Sequence, residues 1–153
     1  MPHFETFSLI RWLHVASMAF AGGAAGVILI LVGFEEERED LHGLTSLLWR
    51  RTAAWGFRLA FVLGLVLLGM LIASGAQPFQ ALWLHWKLGL VVLLLGFSEM
   101  SPKALARHKR GAPLLAFLLF LLASFVSVNG AAFGTRAPKQ GLGSYSGSVQ
   151  QAR

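Results

Sequence analysis

His14, Arg58, His85, Lys87, Glu99 and Asn129 are polar or ionisable residues set inside otherwise apolar stretches of the chain. Lipid penalises such groups, so each needs a structural or a chemical reason to be there. His14 lies about five residues into the first apolar stretch and His85 about six into the third, both entered from the same side of a bilayer, so at ~1.5 Å of rise per residue they reach nearly the same depth. Ser17, Ala21 and Ala25 follow His14 on its helical face, with Gly22 and Gly26 beside them; Gly89, Val92 and Gly96 follow His85. Two imidazoles at one level, each above small residues, suit axial ligation of a b-type haem between helices, because iron takes imidazole and a flat macrocycle needs room. Chlorophyll or another metal would use the same groups. A plainer reading stands beside this one. Gly22 and Gly26 form a G-x-x-x-G pair that lets helices pack closely without a cofactor, and a histidine near the interface can hydrogen-bond to water or to a neighbour.

Lys87 follows His85 by two positions, roughly 200° around a helix, so the two cannot share a face. Either Lys87 snorkels to the outer headgroups while His85 points inward, or the reverse holds. Arg58 and Glu99 have opposite charge at similar depth near the other end of their stretches, and such residues pair rather than stay isolated. The pair reads as a structural clamp, although a carboxylate there can also relay protons. His42 and His108 fall in connecting segments and read as solvated. The chain has no nucleophile elbow, phosphate loop or zincin motif. It also has no cysteine, which excludes disulfides, zinc–thiolate sites and iron–sulfur clusters held by this chain.

Apolar helices must carry these residues. Of the 153 residues, 56% are hydrophobic and 13% charged, against about a quarter charged in soluble domains. Such a chain cannot wrap a core in a solvated surface. Apolar runs over 8–34, 52–74, 79–99 and 112–133 each reach the ~20 residues that span a hydrocarbon core of ~30 Å. Pro78, Pro102 and Pro113 stand at the margins of the runs, as helix starts and breaks do. Backbone in lipid must satisfy its own hydrogen bonds, so the runs are helices. The prediction is an all-α integral membrane bundle of four transmembrane helices over residues 1–134, followed by a flexible Gly/Ser-rich extramembrane tail over 135–153. The first run is a span rather than a signal peptide: its flank MPHFETFSLIR is not strongly basic, and the run is too long for an h-region.

The formal charge of +6 is not a nucleic-acid signal, because the basic residues cluster between the apolar runs. Arg38, Arg50 and Arg51 stand in the first connection and Lys103, Arg107, Lys109 and Arg110 in the third, while the second, GAQPFQ, is uncharged. The positive-inside rule puts the first and third connections in the cytoplasm and both termini outside, and the expected location is a bacterial inner membrane with both termini in the periplasm. Trp12, Trp83 and Trp86 then mark the outer boundary, Trp49 and Trp55 the inner one. The first connection, EEEREDLHGLTSLLWRR, has room for a short interfacial helix.

The third run, WLHWKLGLVVLLLGF, resembles the W-L-H-x-K-L stretch of the small HemJ-type protoporphyrinogen IX oxidases and the related CopD-like membrane domains. The first run, with RWLHVASMAFAGG, is similar to their opening helix with its early histidine. The likeness covers the first three spans in order; the fourth matches only as an apolar helix. The second half of the first helix, GGAAGVILILVGF, departs from the aromatic and Arg-bearing pattern, and FSEMSPK stands where a histidine is often found. The resemblance implies a helical bundle with b-type haem and, for the HemJ group, a functional histidine and lysine at positions that are His14 and Lys87 here. The leading expectation is therefore a haem-binding membrane protein serving redox chemistry or electron transfer; if it is an enzyme, it is an oxidoreductase acting on a porphyrinogen. The alternative is a cofactor-free accessory subunit that packs with other membrane subunits of a respiratory or photosynthetic complex, or with copies of itself.

Overall fold

The computed structural model describes residues 2–38 and 41–129. The end of the fourth apolar run and the whole tail, residues 130–153, lie outside the described residues. Within them the chain forms α1 (Pro2–Glu37), α2 (Leu44–Arg51), α3 (Ala53–Ala73), a 3-10 turn (Pro78–Gln80), α4 (Leu82–Leu105) and α5 (Gly111–Val128). Four stretches of the described chain are long and apolar enough to cross a membrane: Glu5–Glu35, Leu44–Ala73, Leu82–Leu105 and Gly111–Val128. The protein is an all-α integral membrane protein.

The bundle is built from two helix pairs, α1 with α3 and α4 with α5, joined at the Arg-rich end by α2, which touches α1, α3 and α4. Small residues set the spacing of α1. A Cβ placed on Gly56 of α3 would lie 2.8 Å from Cβ and 3.1 Å from Cα of Ala21, so the two backbones meet with only hydrogen between them. Gly22 lies directly under the Phe120 ring of α5, and a Cβ on Gly26 would meet Phe117 at 3.5 Å. Ala21 and Ala25 are fully buried. The small strip below His14 is thus filled by neighbouring helices, as in close helix packing without a cofactor; no room is left there for a macrocycle.

Pro102 does not end the third membrane helix. Having no N–H, it leaves the Ser98 carbonyl one turn back without its helical donor, and an unmet carbonyl inside the bundle costs several kcal/mol. The indole N–H of Trp49 supplies the missing bond, donating to Ser98 O at 3.0 Å, and α4 continues to Leu105. Ser46 Oγ donates to the Pro102 carbonyl at 2.9 Å. Trp49 is accordingly in the core, fully buried, and not in an interfacial belt. Trp12, Trp55 and Trp86 remain on the outside.

The start of α2 is organised by a buried carboxylate. Glu35, near the end of α1, accepts from the backbone N–H of Gly43 and from the Thr45 hydroxyl, and from Thr45 N–H at 3.3 Å. An anion here meets the unpaired N–H groups that every helix presents at its first turn. Gly43 holds φ at +84°, which a side chain would strain. Nearby, the His42 and His108 rings of the two basic connections meet edge to face with centroids 5.2 Å apart.

Arg58 and Glu99 form a bidentate ion pair: Nε donates to Oε1 at 2.7 Å and Nη2 to Oε2 at 2.6 Å. Their side chains are 45% and 49% exposed, so the pair lies on the perimeter of the bundle. The guanidinium also stands 5.3 Å from the centre of the Trp55 ring. Two neutralising variants are informative. Arg58→Gln or Glu99→Gln alone leaves one charge at a poorly hydrated site, so each is expected to lower the melting temperature in micelles more than the double change does. Single and double effects that simply add would show that the two do not support each other.

Candidate functional site

Contacts between the α1–α3 pair and α4 are sparse, and a pocket of about 800 Å³ opens between them toward the end of the bundle that carries the uncharged connection. Its wall is apolar except for Arg11 and His14 of α1, Lys87 of α4, and Ser124 and Ser127 of α5. Ser127 Oγ is committed to its own helix, donating to Ala123 O at 2.7 Å.

His14 is half-buried, and its Nδ1 lies 2.7 Å from the Ala60 carbonyl of α3. A carbonyl can only accept, so Nδ1 carries the proton and Nε2 keeps the lone pair. The contact depends on Gly64, one turn beyond Ala60: a Cβ there would come within 3.1 Å of His14 Cε1. A side chain at Gly64 would crowd the imidazole and force it to give way slightly. A backbone carbonyl in this position fixes the tautomer and ring orientation of a histidine, as it also does for histidines that ligate metals.

Lys87 faces the same pocket, with its Nζ 5.9 Å from the centre of the Trp83 ring. Arg11 is three residues before His14 and therefore on the same helical face. Among the described residues neither cation has an acidic ion-pair partner, since the pair Arg58–Glu99 accounts for the salt bridges found there. Two cations on the wall of an apolar cavity are suited to an anionic group of a bound molecule.

The structure does not bring His85 to this pocket. Because Lys87 faces inward, the 200° offset turns His85 outward, where it is exposed and its Nδ1 reaches back to Ala81 O at 3.3 Å. Gly89, Val92 and Gly96 share that outward face, and a Cβ on either glycine would meet nothing within 4 Å. The expected ligation of one haem by His14 and His85 together therefore has no geometric basis within a single chain. Lys87 with His14, the combination implied by the HemJ-like resemblance, is the one that lines a common cavity. Asn129 caps α5, donating from Nδ2 to Phe125 O at 3.0 Å, and takes no part in the pocket.

Sequence reasoning passed over Arg11 and Gly64. Arg11 was accessible from its spacing to His14. Gly64 was not, because its role exists only once α1 lies against α3. Among the described residues no group of three or more His, Cys, Asp or Glu side chains is placed to hold a metal ion. Among the described residues the cavity wall carries one imidazole, that of His14. Comparison with protein-family models, with curated proteins and with solved structures finds no match to this chain.

Proposed function

We propose that the protein binds b-type haem in the pocket between α1, α3, α4 and α5, with His14 as its protein ligand, and serves redox chemistry or electron transfer in the membrane. The observation that carries this reading is the His14 Nδ1–Ala60 carbonyl bond, which leaves Nε2 as the available ligand nitrogen in a largely apolar cavity. The donor set fits the group: one imidazole for iron, apolar walls for the macrocycle, and Lys87 and Arg11 for its carboxylates. Bound haem supplies one-electron exchange; the chain's own residues hold the ring, exclude water and neutralise the acidic edge. The HemJ-like version of the proposal, a porphyrinogen-oxidising enzyme in which Lys87 is a functional residue, draws on the resemblance and on the position of Lys87 on the pocket wall. A reduced-minus-oxidised visible spectrum of the purified protein tests the haem reading, and a spectrum without haem bands rejects it.

A second reading, a cofactor-free accessory subunit packed against other membrane subunits or a second copy, is favoured by the outward face of α4. Along that face a Cβ on Gly89 or Gly96 would meet nothing within 4 Å, a surface that accepts a close helix.

We also propose that the Arg-rich end faces the cytoplasm of a bacterial inner membrane, with both termini periplasmic, because Lys and Arg gather in the first and third connections. The chain has no cysteine, so a single introduced thiol is unambiguous. A thiol at Gln77 is expected to react with an impermeant reagent from outside, and one at Lys109 only after lysis. The opposite pattern overturns the orientation.

A further inference from the structure

At the Arg-rich end of the bundle, remote from the haem pocket, Leu47, Arg50, Arg51 and Trp55 line a second concavity of about 240 Å³. It forms because α2 stops at Arg51 and α3 begins at Ala53, which sets two successive guanidinium groups beside an indole in the next helical turn. Among the described residues neither Arg50 nor Arg51 has an acidic ion-pair partner. Arg58, on the other side of Trp55, is already tied to Glu99.

The surface continuing from this concavity along α3 is apolar. Trp55, Leu59, Val62 and Val66 are 61%, 52%, 54% and 42% exposed. Their spacing of four, three and four residues places them on one helical face. The combination is amphipathic in one direction: two guanidinium groups and an indole at the Arg-rich end, then an apolar ridge along α3. Guanidinium groups match phosphate oxygens bidentately, and tryptophan settles at the headgroup boundary.

We propose that this concavity is a binding site for an anionic phospholipid. Arg50 and Arg51 hold the phosphate, Trp55 lies against the glycerol region, and an acyl chain follows Leu59, Val62 and Val66. A zwitterionic headgroup brings its own cation and leaves less negative charge for two arginines, so the site selects anionic lipid. The inference is independent of the haem reading, since it uses none of the same residues.

Native mass spectrometry of the full chain, released from micelles containing equal phosphatidylglycerol and phosphatidylcholine, tests it. The anionic lipid is expected to be retained roughly tenfold or more over the zwitterionic one, the selectivity that two basic residues at a membrane surface can supply. Arg50→Gln with Arg51→Gln should remove that preference. Arg50→Lys with Arg51→Lys should keep part of it, because charge remains but the bidentate fork is lost. Lys103→Gln with Arg107→Gln removes two cations from the other basic connection and should leave the preference unchanged. Equal retention of both lipids by the unmodified protein overturns the proposal. So does a preference that survives in the Arg50/Arg51 glutamine variant, or one lost equally in the Lys103/Arg107 variant. Displacement of phosphatidylglycerol by inorganic phosphate at comparable concentration would identify a site for a free anion and reject the lipid.

Discussion

Replacing His14 with alanine is expected to abolish the Soret band of the purified protein, while the apolar spans still insert and the bundle still forms. Among the described residues the imidazole is the one histidine side chain on the pocket wall, so on the haem reading its loss would leave iron without that ligand. Added imidazole should restore part of the band by entering the vacated space, which a variant that merely misfolds would not allow. His85→Ala should leave the spectrum unchanged, because His85 is turned to the outside of α4. His42→Ala and His108→Ala should be equally silent, since both rings lie at the other end of the bundle. On the haem reading, Lys87→Met is expected to keep a Soret band but weaken haem retention, because a cation on the pocket wall is lost. Gly64→Val should act between these extremes, because its side chain would intrude on an imidazole already within 3.1 Å of a Cβ at that position. Purified protein with no haem ends the haem reading and leaves the accessory-subunit one, whereas His14→Ala protein with an unaltered Soret band rejects His14 as the ligand.

Gly56→Ala is expected to destabilise the fold by about 1–3 kcal/mol, the usual penalty for overpacking a filled contact. Its Cβ would stand 2.8 Å from Ala21 Cβ and 3.1 Å from Ala21 Cα. The obstacle is backbone and the shortest of side chains, so nothing flexible can move aside, and α1 and α3 must separate. The same substitution at Gly89 meets no atom within 4 Å, and there the better helix propensity of alanine should make it neutral or mildly stabilising in a monomer. Melting in micelles compares the two directly. Equal melting temperatures for Gly56→Ala and Gly89→Ala would show that the α1–α3 contact does not control stability. A loss confined to Gly89→Ala would mean that the outward face of α4 is itself packed against another subunit.

The amino-acid sequence by itself determined that this chain is a four-span helical membrane protein. An apolar run of about 20 residues has one low-energy solution in lipid, the helix, because no water is present to satisfy an open backbone. The depth of each polar residue was equally legible, since it follows from counting residues at a fixed rise. Opposite charges at matching depth were enough to pair Arg58 with Glu99. Rotation of each helix about its own axis was not legible. In water an apolar stripe marks the inward face, but lipid is as apolar as the protein interior, so the stripe disappears and small-residue packing decides instead. Only the tertiary structure therefore settled that Lys87 and not His85 faces the cavity. It also showed that the strip below His14 is filled by α3 and α5. The fate of Pro102 was hidden for a related reason: a proline reads as a helix end until a donor from elsewhere, here the Trp49 indole, meets the carbonyl it leaves bare. Positions along the membrane normal come from local chain geometry, whereas which side chains face one another across the bundle depends on helix contacts between residues distant in sequence.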